Sequence, residues 1–339
     1  MRTRYVLIAG MAVVTVALVG YSAAWYRLAN QVRSNVEAWA SERNASGLET
    51  GFRSLAIDGY PFSLRLFVDR PVAAIGRATQ PWRWEGDGVH VIAKPWAPNR
   101  FEILPIGEQR LVGPTTIVFR AADGMAELNL DDDGRSGELD LELSGLTIKV
   151  GSDPEPIRAE VVSLNLERPT PTPGQKAALL FFALDAGGIY APRAARGPLG
   201  ADIERLLIDG NVPDVPNASQ AEISSITDWR DAGGVVEVES LELRWSGLQL
   251  SGVGTVTLDD EMRPLAAFSA RVRDYGRTLD AFVDKGILTP REAAVARTVF
   301  DLLARRSTDG SLEIPITAQD GRLYAGPVAL VPVPALPLE

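Results

Sequence analysis

The chain opens on a stretch from which charge is absent. No charged residue stands between Arg4 and Arg27. Tyr5–Tyr26 is about 22 residues long, roughly 33 Å at helical rise, which matches the hydrocarbon core of a bilayer. Tyr5, Tyr21, Trp25 and Tyr26 stand at its ends, where interfacial aromatics belong. Arg2, Arg4 and the terminal amine outweigh Arg27 and Arg33, which Glu37 and Glu42 partly balance. Residues 1–4 are therefore expected as a cytoplasmic N-terminus and residues 5–26 as a single-pass transmembrane helix. Trp25, Leu28, Val32, Val36 and Trp39 go on recurring at helical spacing, which predicts a juxtamembrane helix over 27–46. Ser22-Ala23-Ala24 keeps a cleaved signal peptide open as the other reading. In both, the bulk of the chain is exported.

From Gly47 onward the period drops to two. Leu64, Leu66 and Val68 alternate with Arg65, Phe67 and Asp69, and Leu139, Leu141 and Leu143 with Glu138, Asp140 and Glu142. Val236 and Val238 lead into Leu241 and Leu243, set against Glu242 and Arg244. Each such strand buries one face and wets the other. Asp58-Gly59, Asp87-Gly88, Asp123-Gly124, Asp133-Gly134, Asp209-Gly210, Asp309-Gly310 and Asp320-Gly321 read as hairpin turns. The pattern predicts an α+β protein that is mainly antiparallel β, a long meander rather than βαβ units.

Pro169–Gly174, with three prolines, is a stiff connector that divides a first β-rich half, 47–168, from a second, 175–339. The apolar run at 177–184 leans towards a strand. Asp274–Asp284 predicts a short helix with Leu279, Phe282 and Val283 inward, so that helices are expected near 274–285 and 289–306. Thr289, Pro290 and Glu292 form an N-cap, a first-turn proline and a capping box for the second. Its apolar face is expected from Ala293, Val295, Ala296, Val299, Phe300, Leu302 and Leu303. Strands Leu312–Ile316 and Leu323–Val331 close the chain. Leu143-Ser144-Gly145-Leu146 echoes Trp245-Ser246-Gly247-Leu248, either as two related sheet halves or as a common bend.

Composition narrows the chemistry. A net charge of −10 over 339 residues repels phosphate backbones, and no local basic cluster offsets it, so no nucleic-acid partner is expected. The absence of cysteine removes disulfides, thiolate metal sites and cysteine nucleophiles. His90, the one histidine, lies in a strand-like run with no Ser or Cys motif beside it. Asn129–Gly134 with Asp140 imitates a calcium loop, but Ser136 replaces the usual apolar residue and the flanks alternate like strands, so an acidic hairpin tip is the plainer reading. Trp82, Trp84 and Trp96, with Pro81, Pro95 and Pro98, crowd one region and either line a groove or plug the end of a sheet. No phosphate loop, nucleotide fingerprint, nucleophile elbow or metalloprotease helix occurs. No catalytic, cofactor-binding or metal-binding residue is assigned, and no cofactor is implied.

Gly59-Tyr60-Pro61-Phe62 after a strand is one distinctive piece. Others are Trp229-Arg230 with Gly233-Gly234, then Leu241–Trp245, Gly252-Val253-Gly254-Thr255, Leu258-Asp259 and Pro264, and finally Asp320–Tyr324 with Gly326-Pro327. In this order they resemble the DUF2125 family of Gram-negative bacteria, whose members carry an N-terminal membrane segment. The resemblance implies no reaction, cofactor or catalytic residue. The layout is also similar, more distantly, to AsmA-like envelope proteins, anchored β-rich proteins implicated in lipid handling. Three functions follow as expectations. The first is an inner-membrane-anchored periplasmic protein holding lipid acyl chains in an apolar groove. The second is an envelope hydrolase acting on glycans or esters. The third is a structural or assembly partner in a membrane complex.

Overall fold

The computed structural model describes residues 2–75, 82–131, 137–170, 178–192, 199–213, 226–286, 288–304, 311–326 and 328–336. One helix, α1 (Arg2–Ala45), runs unbroken from the charge-free stretch through the juxtamembrane segment. Met11, Val13, Val14, Val16, Leu18 and Val19 all lie bare on its surface. A helix in the core of a soluble protein would bury them. This helix is long and apolar enough to cross a membrane.

Eighteen strands of the described chain then form one sheet. At its start, β2 (Ser54–Asp58) pairs with β3 (Leu64–Asp69), which pairs with β5 (Trp82–Lys94). The short strands β1 (Thr50–Gly51) and β4 (Val72–Ile75) pair together, with β4 on the first part of β5. Next comes β6 (Ala97–Val112), then β7 (Ile117–Arg120) and β8 (Asp123–Leu130), which share one position between β6 and β9 (Gly137–Val150). From there every strand pairs antiparallel with its successor. These are β10 (Ile157–Arg168), β11 (Ala178–Tyr190), β12 (Asp202–Pro213), β13 (Val236–Trp245), β14 (Leu248–Leu258), β15 (Pro264–Arg273), β16 (Leu312–Gln319), β17 (Arg322–Ala325) and β18 (Val328–Pro332). The pairing of β10 with β11 carries the sheet without interruption across the Pro-rich connector, whose residues 171–174 lie outside the described chain.

Among the described residues, three helices accompany the sheet after α1. A single turn, α2 (Ile226–Asp231), precedes β13. The pair α3 (Tyr275–Asp284) and α4 (Pro290–Ala304) sits between β15 and β16. The capping box forms as its sequence requires: the Thr289 N–H and hydroxyl donate to Glu292 Oε2, and the Glu292 N–H donates back to Thr289 Oγ1. Leu279 and Phe282 are buried with Leu288, and Leu312, only 1% exposed, centres the adjoining cluster with Leu248, Val272 and Ile314. The expected apolar face of α4 divides, however. Ala293 is buried and Phe300 packs inward, whereas Val295, Val299 and Leu302 stand exposed, because the sheet receives only one side of the helix.

Several turn signals fall elsewhere than expected. Asp320-Gly321 is a two-residue hairpin with both residues at positive φ, and Asp58-Gly59 ends β2. Asp87-Gly88 and Asp209-Gly210 instead lie inside β5 and β12, where the register shifts by a bulge, and Asp123-Gly124 opens β8. Asp133-Gly134 and Asp309-Gly310 lie outside the described residues. The closing strand expected over 323–331 is two strands, bent at Gly326. The echoed Ser-Gly pairs are not equivalent. Ser246-Gly247 is the turn of the β13–β14 hairpin, while Ser144-Gly145 lies within β9.

Candidate functional site

Because side chains directly opposite in an antiparallel ladder share a face, the pairing states which residues stand together. One rung runs Ile57, Leu66, Val91, Ile103, Ala126, Leu141, Leu164, Leu184, Ile208, Leu241, Gly252, Ala270 and Ile314 from β2 to β16. It contains no polar side chain. The adjoining rung on the opposite face runs Arg65, Ile92, Glu102, Glu127, Asp140, Asn165, Ala183, Asp209 and Ser240. The alternation of each strand thus sums into one apolar face and one polar face along the whole sheet.

Keeping the rows in line requires a correction halfway along the central strands. The apolar phase changes on β9 from Leu139, Leu141 and Leu143 to Leu146 and Ile148, on β10 from Ile157 and Ala159 to Val162, Leu164 and Leu166, and on β11 from Phe182, Leu184 and Ala186 to Ile189. Gly145 and Gly188 stand at these changes with φ near +60°, where a side chain is strained. The pairing register runs through unshifted, so the strands change phase together.

Both ends of the apolar face are covered. At the first end Trp25 of α1, 5% exposed, packs with Ala29 on Leu64, and Leu28 and Ile57 close around them. At the far end α3 and α4 cover β14 and β16. A pocket of about 120 Å³ remains there between Leu248, Leu250, Phe282, Phe300 and Ile314, and its lining exposes no polar surface. Tyr275 ties the pair together by donating to Asp301 Oδ1, and burial with this bond holds its phenol above the ordinary value. Between the ends, the main helix contacts do not reach β8–β13. By strand geometry this stretch is roughly 24 Å wide and 30 Å long, about 700 Å² in projection. Soluble monomers leave only a few hundred Å² of contiguous apolar surface open. Most of the exposed hydrophobics of the sheet, among them Met125, Val161, Phe181 and Val253, lie in rows of the polar face. Val150 at the end of β9 is exposed in the row of Leu146 and Ile148, and Leu141, Leu164 and Leu184 in the middle of the apolar face are half-buried.

Titratable groups line the polar face and stand at turns and helix ends. An open trough of about 590 Å³ crosses β13–β16 beside Glu242, Ser251, Arg271 and Glu313, with Arg271 paired to Glu313 at 2.8 Å. The carboxylates Asp185, Asp259 and Glu292 are all held below their ordinary values. Hydrogen bonding from Arg205 does this for Asp185, at 2.9 and 2.5 Å, against the cost of burial. Burial pushes Asp259 up, but the backbone N–H and guanidinium of Arg263 outweigh it. Thr289 holds down Glu292. A general acid for glycoside or ester cleavage needs a raised value.

The residues singled out in the sequence do not converge. His90 lies in β5 with its ring 4.9 Å from Phe67 on the polar face. Asn129 and Asp140 belong to the β8 and β9 strands, and Asp140 accepts from Asn165, while 132–136 between them lie outside the described residues. Among the described residues no group of three or more His, Asp or Glu is placed to hold a metal ion. The tryptophans are separated by the length of a strand. Trp82 and Trp84 lie at one end of β5, where Trp84 donates to Gln109, and Trp96 stands exposed in the turn at the other.

A family model described as an uncharacterized protein conserved in bacteria, DUF2125, matches residues 25–334. The chain belongs to the DUF2125 family. No curated protein and no solved structure matches it. Most of the family-like pieces serve the fold. Trp229 lies over Gly234, where a Cβ would meet its ring, and Arg230 donates to the carbonyls of Asp259 and Asp260, clasping the β14–β15 turn. Gly254 makes room for Phe268 in the same way. Only Gly59-Tyr60-Pro61-Phe62 leads outward, from the sheet to α1.

Proposed function

We propose that this DUF2125 protein is anchored in the bacterial inner membrane by α1 and holds lipid acyl chains on the apolar face of a periplasmic sheet, serving envelope maintenance without catalysing a reaction. One observation carries the reading: an apolar rung runs through 13 strands, with helices over its two ends and, among the described residues, no main helix contact over the middle. Water penalises such a surface, and hydrocarbon does not. An acyl chain needs no polar partner, which suits a face that supplies none. Retention of the anchor is supported by Tyr21 and Ser22, which a signal-peptide cut at 22–24 would remove or isolate. Both bond to the Tyr60–Pro61 turn. Mass spectrometry of lipids carried by the portion from Tyr21 onward, which keeps Trp25 on Leu64, tests the reading. Glycerophospholipid recovered in near-stoichiometric amount is expected, and its absence counts against the proposal.

A second reading, a partner in a membrane complex, is favoured by the stripe Val295, Val299 and Leu302 on the outer side of α4. It predicts that Val295→Lys with Leu302→Lys lowers the sedimentation mass of the purified protein.

A further inference from the structure

The outer end of the hydrophobic span and the first turns of the sheet are built as one unit. Ser22 Oγ and the Tyr60 hydroxyl lie 2.6 Å apart, Tyr21 donates to the Pro61 carbonyl, and the Trp25 indole donates to the Ser63 carbonyl at 3.1 Å. Tyr26 stacks on Tyr60 at 5.7 Å, with Trp25 edge-on to both. These contacts fix the turn at 59–63 at the depth where the uncharged run ends. The register places a second turn beside it. Leu64 pairs with Ala93, so the β5–β6 turn carrying Trp96 lies at the same end of the sheet. Phe62 is 73% exposed, Trp96 61% and Tyr60 44%. Phe62 and Trp96 therefore stand bare at the end of the sheet nearest the emerging span, with Tyr60 partly exposed between them, a costly arrangement in water and a favoured one among headgroups. Lys94 and Arg27 are exposed at the same level, where they can meet phosphates.

We infer that the turns at 59–63 and 94–97 form a second membrane contact, seated in the interfacial layer of the bilayer that α1 crosses. The apolar face then begins at the membrane. Leu64 is already covered by Trp25 and Ala29, and the half-buried Leu66 and Val91 follow on the apolar rung. An acyl chain leaving the leaflet meets this rung without crossing water, so the contact would serve as the loading end of the sheet. This rests on the anchoring and acyl-binding reading above.

The chain has no cysteine, so single cysteines report cleanly. Full-length Phe62→Cys and Trp96→Cys, each labelled with an environment-sensitive fluorophore, are reconstituted in phosphatidylethanolamine–phosphatidylglycerol vesicles. The vesicles contain nitroxide lipids carrying the label either near the headgroup or deep in the chains. Both positions face solvent, so the core is left intact. The expected result is at least about twofold stronger quenching than at the polar-face control Ser163→Cys, and stronger from the shallow than from the deep nitroxide. Quenching no greater than the control overturns the inference. Val14→Cys, in the middle of the uncharged run, separates the two failures. Deep quenching there with none at Phe62 or Trp96 removes only the second contact, whereas no quenching at Val14 removes the anchor as well.

Discussion

The far end of the apolar face and its middle are made of the same residue types in the same alternation, yet only the far end is closed. Under α3 and α4, Leu312, Ile314 and Val272 meet Leu279, Phe282 and Phe300 and become a protein core. In the middle, Leu141, Leu164 and Leu184 pair across the sheet, and among the described residues the main helix contacts do not reach them. The alternation sets which side chains share a face but not whether that face is a core. What lies over it decides, and in the middle the covering layer is proposed to be lipid.

The largest effect that sharpens this contrast comes from truncation. Leu312→Ala is expected to cost about 3 kcal/mol in urea unfolding, because it opens a cavity in a closed core. Leu164→Ala should cost about 1 kcal/mol or less, because its site is already open on one side. Equal costs would mean that the middle is also closed and would break the comparison. A smaller effect tests whether the closing pair depends on local sequence. Thr289→Ala should cost about 1 kcal/mol by removing the N-cap of α4, measured by urea unfolding with helix-specific hydrogen exchange.

The polar face offers the gentlest changes. Glu127 stands between Glu102 and Asp140 on neighbouring strands, and like charges directly opposite destabilise a ladder. Glu127→Lys should raise stability by about 0.5 kcal/mol, with the gain shrinking as salt is added. The smallest effect is on pH. Asp185 has its folded pKa lowered by Arg205, so its contribution is complete above the ordinary value of 3.8 and is lost as pH falls through the lower folded value. Urea midpoints of the parent and Asp185→Asn should therefore differ slightly at neutral pH and converge in acid.

Much of this architecture was legible in the residues. The uncharged run, the period-two alternation and the Thr289–Glu292 box each follow from local chemistry, and each forms as expected. What failed depended on distance. Asp87-Gly88 and Asp209-Gly210 have the composition of turns, but a bulge uses the same freedom, and only the partner strand distinguishes the two. Trp84 and Trp96 are close in sequence, yet an intervening strand holds them apart. Gly59-Tyr60-Pro61-Phe62 acquires its role from α1 residues 38 to 40 positions earlier, which no local pattern contains. The uncovered middle was the least legible feature, since a leucine facing lipid and a leucine facing a helix have the same neighbours along the strand.

Photo-crosslinking of the full-length protein in its native membrane distinguishes lipid over the apolar face from an empty one. A benzophenone amino acid is placed at Leu164 or Leu184 on the apolar face, or at Ser163 or Asp185 on the polar face, in cells whose phospholipids carry radiolabelled phosphate. Labelled phospholipid adducts are expected at Leu164 and Leu184 and none at Ser163 and Asp185. Adducts on neither face, or equally on both, would contradict lipid seated on the apolar face.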